Sequence, residues 1–180
     1  MHWRDGDELA ALMTAYQAGS MPAFEHLYAR LAPPLLSYLT SLSRDRARAQ
    51  DLLQEAFLQI HRSRHAYRSD LPVRPWVFTI ARHVWLMDRR THSRRPHTDH
   101  AERSLPDLPV PAAVEGFADR DRVRRALNDL LPDRREALLL HHVWGFSFAE
   151  VGRMLGIRPD AAKLRSSRGI VDLRRRLTHD

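Results

Sequence analysis

Cysteine is absent from the chain, which excludes a disulfide framework and any thiolate metal site. No apolar run approaches the ~18–20 residues needed to span a bilayer. The opening segment M-H-W-R-D-G-D-E is polar and lacks the apolar core of a signal peptide. The expectation is therefore a cytoplasmic protein with no membrane insertion. There is no G-x-x-x-x-G-K-[ST] phosphate loop, no internal repeat and no period-2 segment that reads as a strand. What the chain has in excess is positive charge. Its 29 Lys and Arg outnumber 22 Asp and Glu, for a formal charge of +7 over 180 residues. Such a surplus favours a phosphate-bearing partner, although it says nothing about fold.

Length allows one large or two small domains, and the composition breaks near the middle. Residues 93–116 fall in a stretch rich in proline, with Pro96, Pro106, Pro109 and Pro111, and without a sustained apolar period. They read as a flexible linker between a domain over residues 1–92 and one over residues 117–180. Both flanks have helical periodicity, so the expected fold is all-α, with two small helical domains. In the first, a helix over residues 6–18 places Leu9, Leu12, Met13 and Tyr16 on one face. A second begins after Ser20-Met21-Pro22 and buries Phe24, Leu27, Tyr28 and Leu31. Pro33-Pro34 should kink or restart it before Leu35, Leu36, Leu39 and Leu42 continue the apolar face.

The most structured local signal lies at residues 147–168. Ser147 and Glu150 have the spacing of a capping box. Val151, Met154 and Leu155 form an apolar stripe, Gly156 stands where a left-handed residue ends a helix, and Pro159 suits a first helical turn. Two helices around such a turn form a helix-turn-helix, whose second member enters the DNA major groove. At ~100° per residue, Ala162, Ser166, Gly169, Ile170, Leu173 and Leu177 of that helix lie inward, while Ala161, Leu164, Arg165 and Arg168 lie outward. The small residues at 162, 166 and 169 predict unusually close packing. Arg158 and Lys163 add charge near the helix start and flank.

Two helices of the first half carry opposite charge outward. Near residues 45–63, Ala49, Leu52, Leu53, Ala56, Phe57 and Ile60 form a core face; Asp51, Gln54, Glu55, Leu58 and Arg62 face away. A leucine framed by acidic and amide groups suits a protein-docking surface. Near residues 75–92, the expected buried side is Trp76, Val77, Ile80, Ala81, Val84 and Met87, and the outer side Thr79, Arg82, His83, Leu86, Arg89 and Arg90. That basic side is a candidate track for a phosphate backbone. Just before it, H65-A-Y-R-S-D-L-P-V-R-P-W76 mixes aromatic and basic groups. Such a loop can stack an unpaired base on a ring while a guanidinium holds phosphate.

These segments resemble a known family. D51-L-L-Q-E-A-F-L58 resembles the polymerase-binding helix of bacterial sigma factors. R74-P-W-V-F-T-I-A-R82, followed by D88-R-R90, resembles their helix for the promoter −10 element. L131-P-D-R-R-E-A-L-L-L and W144-G-F-S-F-A-E-V-G-R-M-L-G-I157 resemble their −35-reading domain. The order and short length resemble the extracytoplasmic-function (ECF) class. The resemblance implies a factor that binds core RNA polymerase, directs it to promoters and assists melting, with no catalytic residues and no cofactor. It implies polymerase contacts at Asp51, Gln54, Glu55 and Leu58. The −10 contacts it implies lie at Tyr67, Arg68, Trp76, Arg82, His83, Arg89 and Arg90, with Tyr67 and Arg68 in a base-capturing loop anchored by Trp76. The −35 contacts lie at Arg158, Lys163, Leu164, Arg165 and Arg168. An anti-sigma factor, often membrane-bound, is a further implied partner.

The chain departs from the family in informative places. Arg158 stands where a small polar cap is usual, and D160-A-A-K-L-R-S166 replaces the common G-T-V-K-S-R-L. His61 and His83 stand where Trp and Asn are often found. Eleven histidines raise the question of a metal sensor, with His92, His97 and His100 in the linker and His141-His142 before the helix-turn-helix. Adjacent helical side chains diverge by ~100°, so the pair is not expected to share an ion, and no H-E-x-x-H spacing occurs. The alternatives to a sigma factor are a one-component regulator, sensing a ligand through residues 1–90 and binding an operator through residues 117–177, and a metal-dependent enzyme, which would require bound metal and turnover.

Overall fold

The computed structural model describes residues 6–92 and 120–179, and these are helical, with no strand among them. The chain divides into two compact units, Met1–Ser104 and Leu105–Asp180; the linker expected over residues 93–116 lies outside the described residues. No helix among those described is long and apolar enough to cross a membrane.

The first unit contains α1 (Gly6–Gln17), α2 (Met21–Ser43), α3 (Arg46–Ser63), a 3-10 turn (Arg64–Ala66) and α4 (Val73–His92). Ser20 caps α2 by accepting from the Ala23 N–H, and Asp45 caps α3 by accepting from the Arg48 N–H at 3.1 Å. Of the expected kink or restart at Pro33-Pro34, the restart does not occur: α2 runs through both prolines. Each proline removes one intrahelical donor. The continuous buried row of Leu27, Leu31, Leu35, Tyr38 and Leu39 offsets that loss by keeping one face in the core on both sides of the prolines. Tyr28 is a second correction: it stands largely exposed, its ring against Phe57 at the core's edge, with centroids 4.5 Å apart.

The buried arc of α4 also differs from the expected one. Val77, Phe78 and Ala81 are fully buried, whereas Met87 is 61% exposed and Trp76 only half-buried. The arc keeps Val77 and Ala81 and shifts toward Phe78. The cause is tertiary. Phe78 packs on Tyr38 of α2, ring centroids 5.1 Å apart, so the core lies beneath Phe78, and Met87 is left on the rim of a groove beside α3.

The second unit contains α5 (Arg120–Asn128), α6 (Pro132–His142), α7 (Phe148–Leu155) and α8 (Pro159–His179). Its core gathers Val123, Leu127, Leu138, Leu139, Leu140, Val151, Met154 and Leu173. The capping box at α7 is complete: Ser147 Oγ accepts from the Glu150 N–H, and Glu150 accepts from the Ser147 N–H at 2.8 Å. Gly156 ends α7 with φ 68°, in the left-handed region where glycine carries no Cβ penalty. Pro159 opens α8.

Candidate promoter and polymerase interface

On α3 the buried face is as expected, and Asp51, Gln54, Glu55 and Leu58 all point to solvent. Leu58 is 41% exposed. Gln59 donates to the Glu55 carboxylate at 2.8 Å. Asp51 and Glu55 also edge a groove of about 630 Å³ between α3 and α4, floored by Leu52, Ile80 and Val84 and reaching Met87 and His83. Arg48 of α3 clamps Asp88 of α4 through two donors, Nε–Oδ2 being 3.0 Å. The face is therefore an apolar floor with acidic and amide groups along one side.

The outer residues of α4 divide into two rows. Arg89 is exposed, its guanidinium carbon 5.1 Å from the Trp85 ring centroid, a cation–π placement. Arg82 shares that side of the helix wheel and is half-buried, while Arg90 is exposed. His83 instead lines the groove with α3. Trp85, which the sequence did not single out, supports Arg89, and only its position four residues earlier on the helix hinted at this.

The loop between the 3-10 turn and α4 corrects one expectation. Tyr67 was expected to offer its ring to an unpaired base, but it is only 5% exposed. Its ring packs against Trp76 at 5.2 Å and its hydroxyl donates to the Leu71 carbonyl. Burial, then the nearby Asp70 charge, raises the phenol's pKa, which keeps it a donor. Tyr67 is thus an internal strut. Trp76 does anchor the loop, as expected. The exposed tip consists of Arg68, Ser69, Asp70 and Leu71. There Arg68 donates to Asp70 through Nε at 3.1 Å and a terminal nitrogen at 2.8 Å. That bond holds the Asp70 carboxyl below the ordinary carboxylate range and Arg68 firmly cationic. Asp70 and the loop's support from α1 escaped the sequence reading. Gln17 Nε2 donates to the Arg64 and Tyr67 carbonyls at 2.7 and 2.9 Å. Contacts 47 and 50 residues apart leave no periodic signal.

In the second unit, the inward set of α8 holds: Ala162, Ser166, Gly169, Leu173 and Leu177 are buried and Ile170 is half-buried. A Cβ on Gly169 would stand 3.0 Å from the Arg134 carbonyl oxygen, so α8 does approach α6 closely. Gly152 of α7 is tighter still, 2.8 Å from the Ile157 carbonyl oxygen across the turn. Outward, Leu164 is 50% exposed and Arg168, Lys163 and Arg158 are exposed. Arg165 is half-buried and pairs with Asp133 at 3.3 Å; Arg158 lies 3.9 Å from Asp160. Farther along α8, Asp172 binds Arg134 and Arg175, the latter at 2.7 Å, which lowers its pKa, with the Arg134 hydrogen bond the main cause. Asp172 and both arginines line a basic cleft of about 1050 Å³ shared with Arg122, Arg125 and Arg176.

His141 and His142 do not diverge as expected. Their rings meet edge-to-face, with centroids 4.7 Å apart, because His141 turns to stack on Phe148 and pair through Nδ1 with the Phe146 carbonyl at 2.7 Å. Burial, then the His141 charge, lowers the His142 pKa and favours its neutral form. Among the described residues no group of three or more His, Asp or Glu is arranged to hold a metal. His97 and His100 lie outside the described residues.

One helical unit with an acidic face on α3 beside a basic row on α4, and another built around a capped helix-turn-helix, have the makings of a DNA-directed transcription factor. Comparison with known proteins specifies which. Residues 27–95 match the family model "Sigma-70 region 2" and residues 120–173 match "Sigma-70, region 4". The chain is 40% identical over 166 residues to the RNA polymerase sigma factor CarQ of Myxococcus xanthus, covering 90% of this chain and 93% of that protein. It is 32% identical over 168 residues to the ECF sigma factor SigM of Mycobacterium tuberculosis, covering 93% and 84%. Its fold is similar to that of the sigma factor RpoE of Bartonella quintana, solved in complex with the anti-sigma factor NepR. The TM-score is 0.72 at 26% identity, over 87% of this chain and 98% of that one. The chain belongs to the sigma-70 family and to its ECF class. It binds core RNA polymerase and directs it to promoters. The region 2 match occupies the part that a one-component regulator would use for sensing, so that alternative is set aside.

Proposed function

We propose that this chain divides promoter recognition between its two units, residues 1–92 docking on polymerase and engaging the −10 element, and residues 117–180 reading the −35 element. The carrying observation is Leu58, exposed among Asp51, Gln54 and Glu55 on the helix whose sequence matches region 2. Leu58 is the apolar anchor on core polymerase and its three neighbours form the polar rim, as in interfaces where one buried side chain supplies most of the affinity.

In the first unit the Arg68 tip takes an unpaired base of the −10 strand, while Arg82, Arg89 and Arg90 hold its phosphates. Trp76 and Tyr67 support the tip from inside, and His83 borders the docking groove. Opening the duplex costs stacking, about 1.4 kcal/mol per step; capture of the freed strand and polymerase contacts offset it. In the second unit Leu164, Arg165 and Arg168 face base edges. Leucine suits a thymine methyl and arginine reads guanine bidentately, whereas Lys163 and Arg158 meet phosphate. The chain itself requires no catalytic group and acts in the cytoplasm. An anti-sigma factor is a further partner, supported by the similarity to a sigma factor solved with one.

The test is polymerase affinity. Leu58→Asp should weaken core binding by about 2 kcal/mol or more in a titration with labelled polymerase, with helicity by circular dichroism unchanged. Wild-type affinity in that variant overturns the docking assignment.

A further inference from the structure

Helix α1 ends at Gln17, ten residues before the region 2 match begins at residue 27, and no role is assigned to it by motif. Its last turn is nevertheless built against the base of the −10 loop. The Gln17 side-chain amide has two N–H donors. Its nitrogen lies within hydrogen-bonding distance of the carbonyls of Arg64 and Tyr67, which bracket the 3-10 turn leading into that loop. Beside it the Tyr16 hydroxyl pairs with His61 Nδ1 at 2.6 Å, and the Arg64 guanidinium lies 5.8 Å from the Tyr16 ring centroid while donating to the His61 carbonyl. Tyr67 carries this support onward. Its backbone is held from α1, its ring by Trp76, and its hydroxyl reaches Leu71 at the far side of the tip.

The packing of α1 does not depend on Gln17. Leu9, Met13 and Tyr16 supply its buried face, and Gln17 lies one position beyond them, half-buried. Its distinctive contribution is the pair of donations. The Arg64 carbonyl also accepts from the Tyr67 N–H at 3.2 Å within the 3-10 turn. Without Gln17 it keeps that bond, the Tyr67 carbonyl turns to water, and the turn loses its two hydrogen bonds from α1 while the Arg64–Tyr16 contact remains.

We infer that Gln17 is a positioning residue for base capture, setting the height and orientation of the Arg68–Asp70 tip through the carbonyls of Arg64 and Tyr67. This rests on the reading of that loop as the base-capturing element, so its test carries Arg68→Ala as an internal control. Holoenzyme is assembled from core polymerase and the full chain carrying Gln17→Leu, Gln17→Glu or Gln17→Lys. Two quantities are read: the rate of permanganate-detected opening on duplex promoters, and base preference in selection from bubble templates randomised across the −10 element.

Gln17→Leu and Gln17→Glu, which offer no donor, should slow opening about tenfold, the effect of losing two neutral hydrogen bonds of which part is regained from water. Both should also flatten the base preference at the captured position. Gln17→Lys, which keeps donors aimed at the two carbonyls, should retain the wild-type preference. Generic destabilisation would change the fraction of active holoenzyme but not which base it selects. If Arg68→Ala flattens the preference while Gln17→Leu and Gln17→Glu leave it unchanged, the inference fails and the loop reading stands. If Gln17→Lys is as flat as Gln17→Leu, donation is not the basis and the inference also fails. If Arg68→Ala too leaves the preference unchanged, the loop reading itself is overturned.

Discussion

The two units hold the groups proposed to face DNA by different physical means. In the second, α8 is set by close backbone approach: a Cβ at Gly152 would collide with the turn carbonyl of Ile157, and one at Gly169 would press on α6. In the first, the −10 loop is set by side-chain hydrogen bonds from α1 and by the Tyr67–Trp76 pair. Steric closeness fixes a rigid helix, which suits the proposed reading of an intact groove. Hydrogen bonds at a loop's base leave an exposed tip whose local rearrangement costs little, which suits a strand that becomes available only on melting.

The largest expected effect breaks the steric half of that contrast. Gly152→Val places a branched side chain against backbone at 2.8 Å. It should cost about 3 kcal/mol, the upper end for overpacking, and lower the unfolding midpoint of the second unit in a thermal melt. Gln17→Leu should lower the first unit's midpoint by less, at a cost of about 1 kcal/mol for two hydrogen bonds partly regained from water, while altering its function. A Gly152→Val midpoint equal to wild type would remove the basis for the comparison.

Next in size is the reading helix. Arg168→Ala should cost about 2 kcal/mol in holoenzyme binding and relax the preference at one −35 position. Arg165→Ala should cost less, because Arg165 already has Asp133 as a partner at 3.3 Å and gives up that contact to reach DNA. Binding at fixed salt to a randomised −35 set distinguishes them; equal losses would mean the Asp133 pair has no influence.

How far the sequence disclosed this arrangement also divides by unit. The second was largely legible. Ser147–Glu150, Gly156 and Pro159 are local signals whose partners lie within a few residues, and the inward set of α8 opens with three small residues that signal close packing. In the first unit, α3 was legible because its apolar and polar faces are cleanly segregated. On α4 they are not: Trp76 and Met87 share one direction, Phe78 points nearly opposite, and packing on Tyr38 of α2 takes Phe78 inward. Tyr67 read as a loop aromatic because its partners Trp76 and Leu71 are specified by folding. Gln17 was invisible for the same reason.

A smaller effect sharpens the account of the helix-turn-helix. Ser147→Ala removes one half of the capping box and should cost about 1 kcal/mol, seen as a lower denaturation midpoint with no change in −35 preference. A changed preference would mean that the cap also sets the angle of α8.

The smallest effect is on pH dependence. Asp172 has a depressed folded pKa through Arg134 and Arg175. Its stabilisation is therefore present above the unfolded carboxylate pKa and is lost as pH falls through the folded value. For a partly exposed ion pair this is about 0.5–1 kcal/mol. Asp172→Asn should lower stability at neutral pH and flatten the acid limb of the second unit's stability curve; an unchanged acid limb would contradict the assignment.

The central claim, that this chain docks through Leu58 and directs polymerase to promoters, is tested most directly by run-off transcription with purified core polymerase. Wild-type chain should produce initiation at discrete start sites that core polymerase alone does not use, and Leu58→Asp should abolish it. Absence of chain-dependent initiation at promoters selected by the holoenzyme, or equal initiation by Leu58→Asp, would contradict the account.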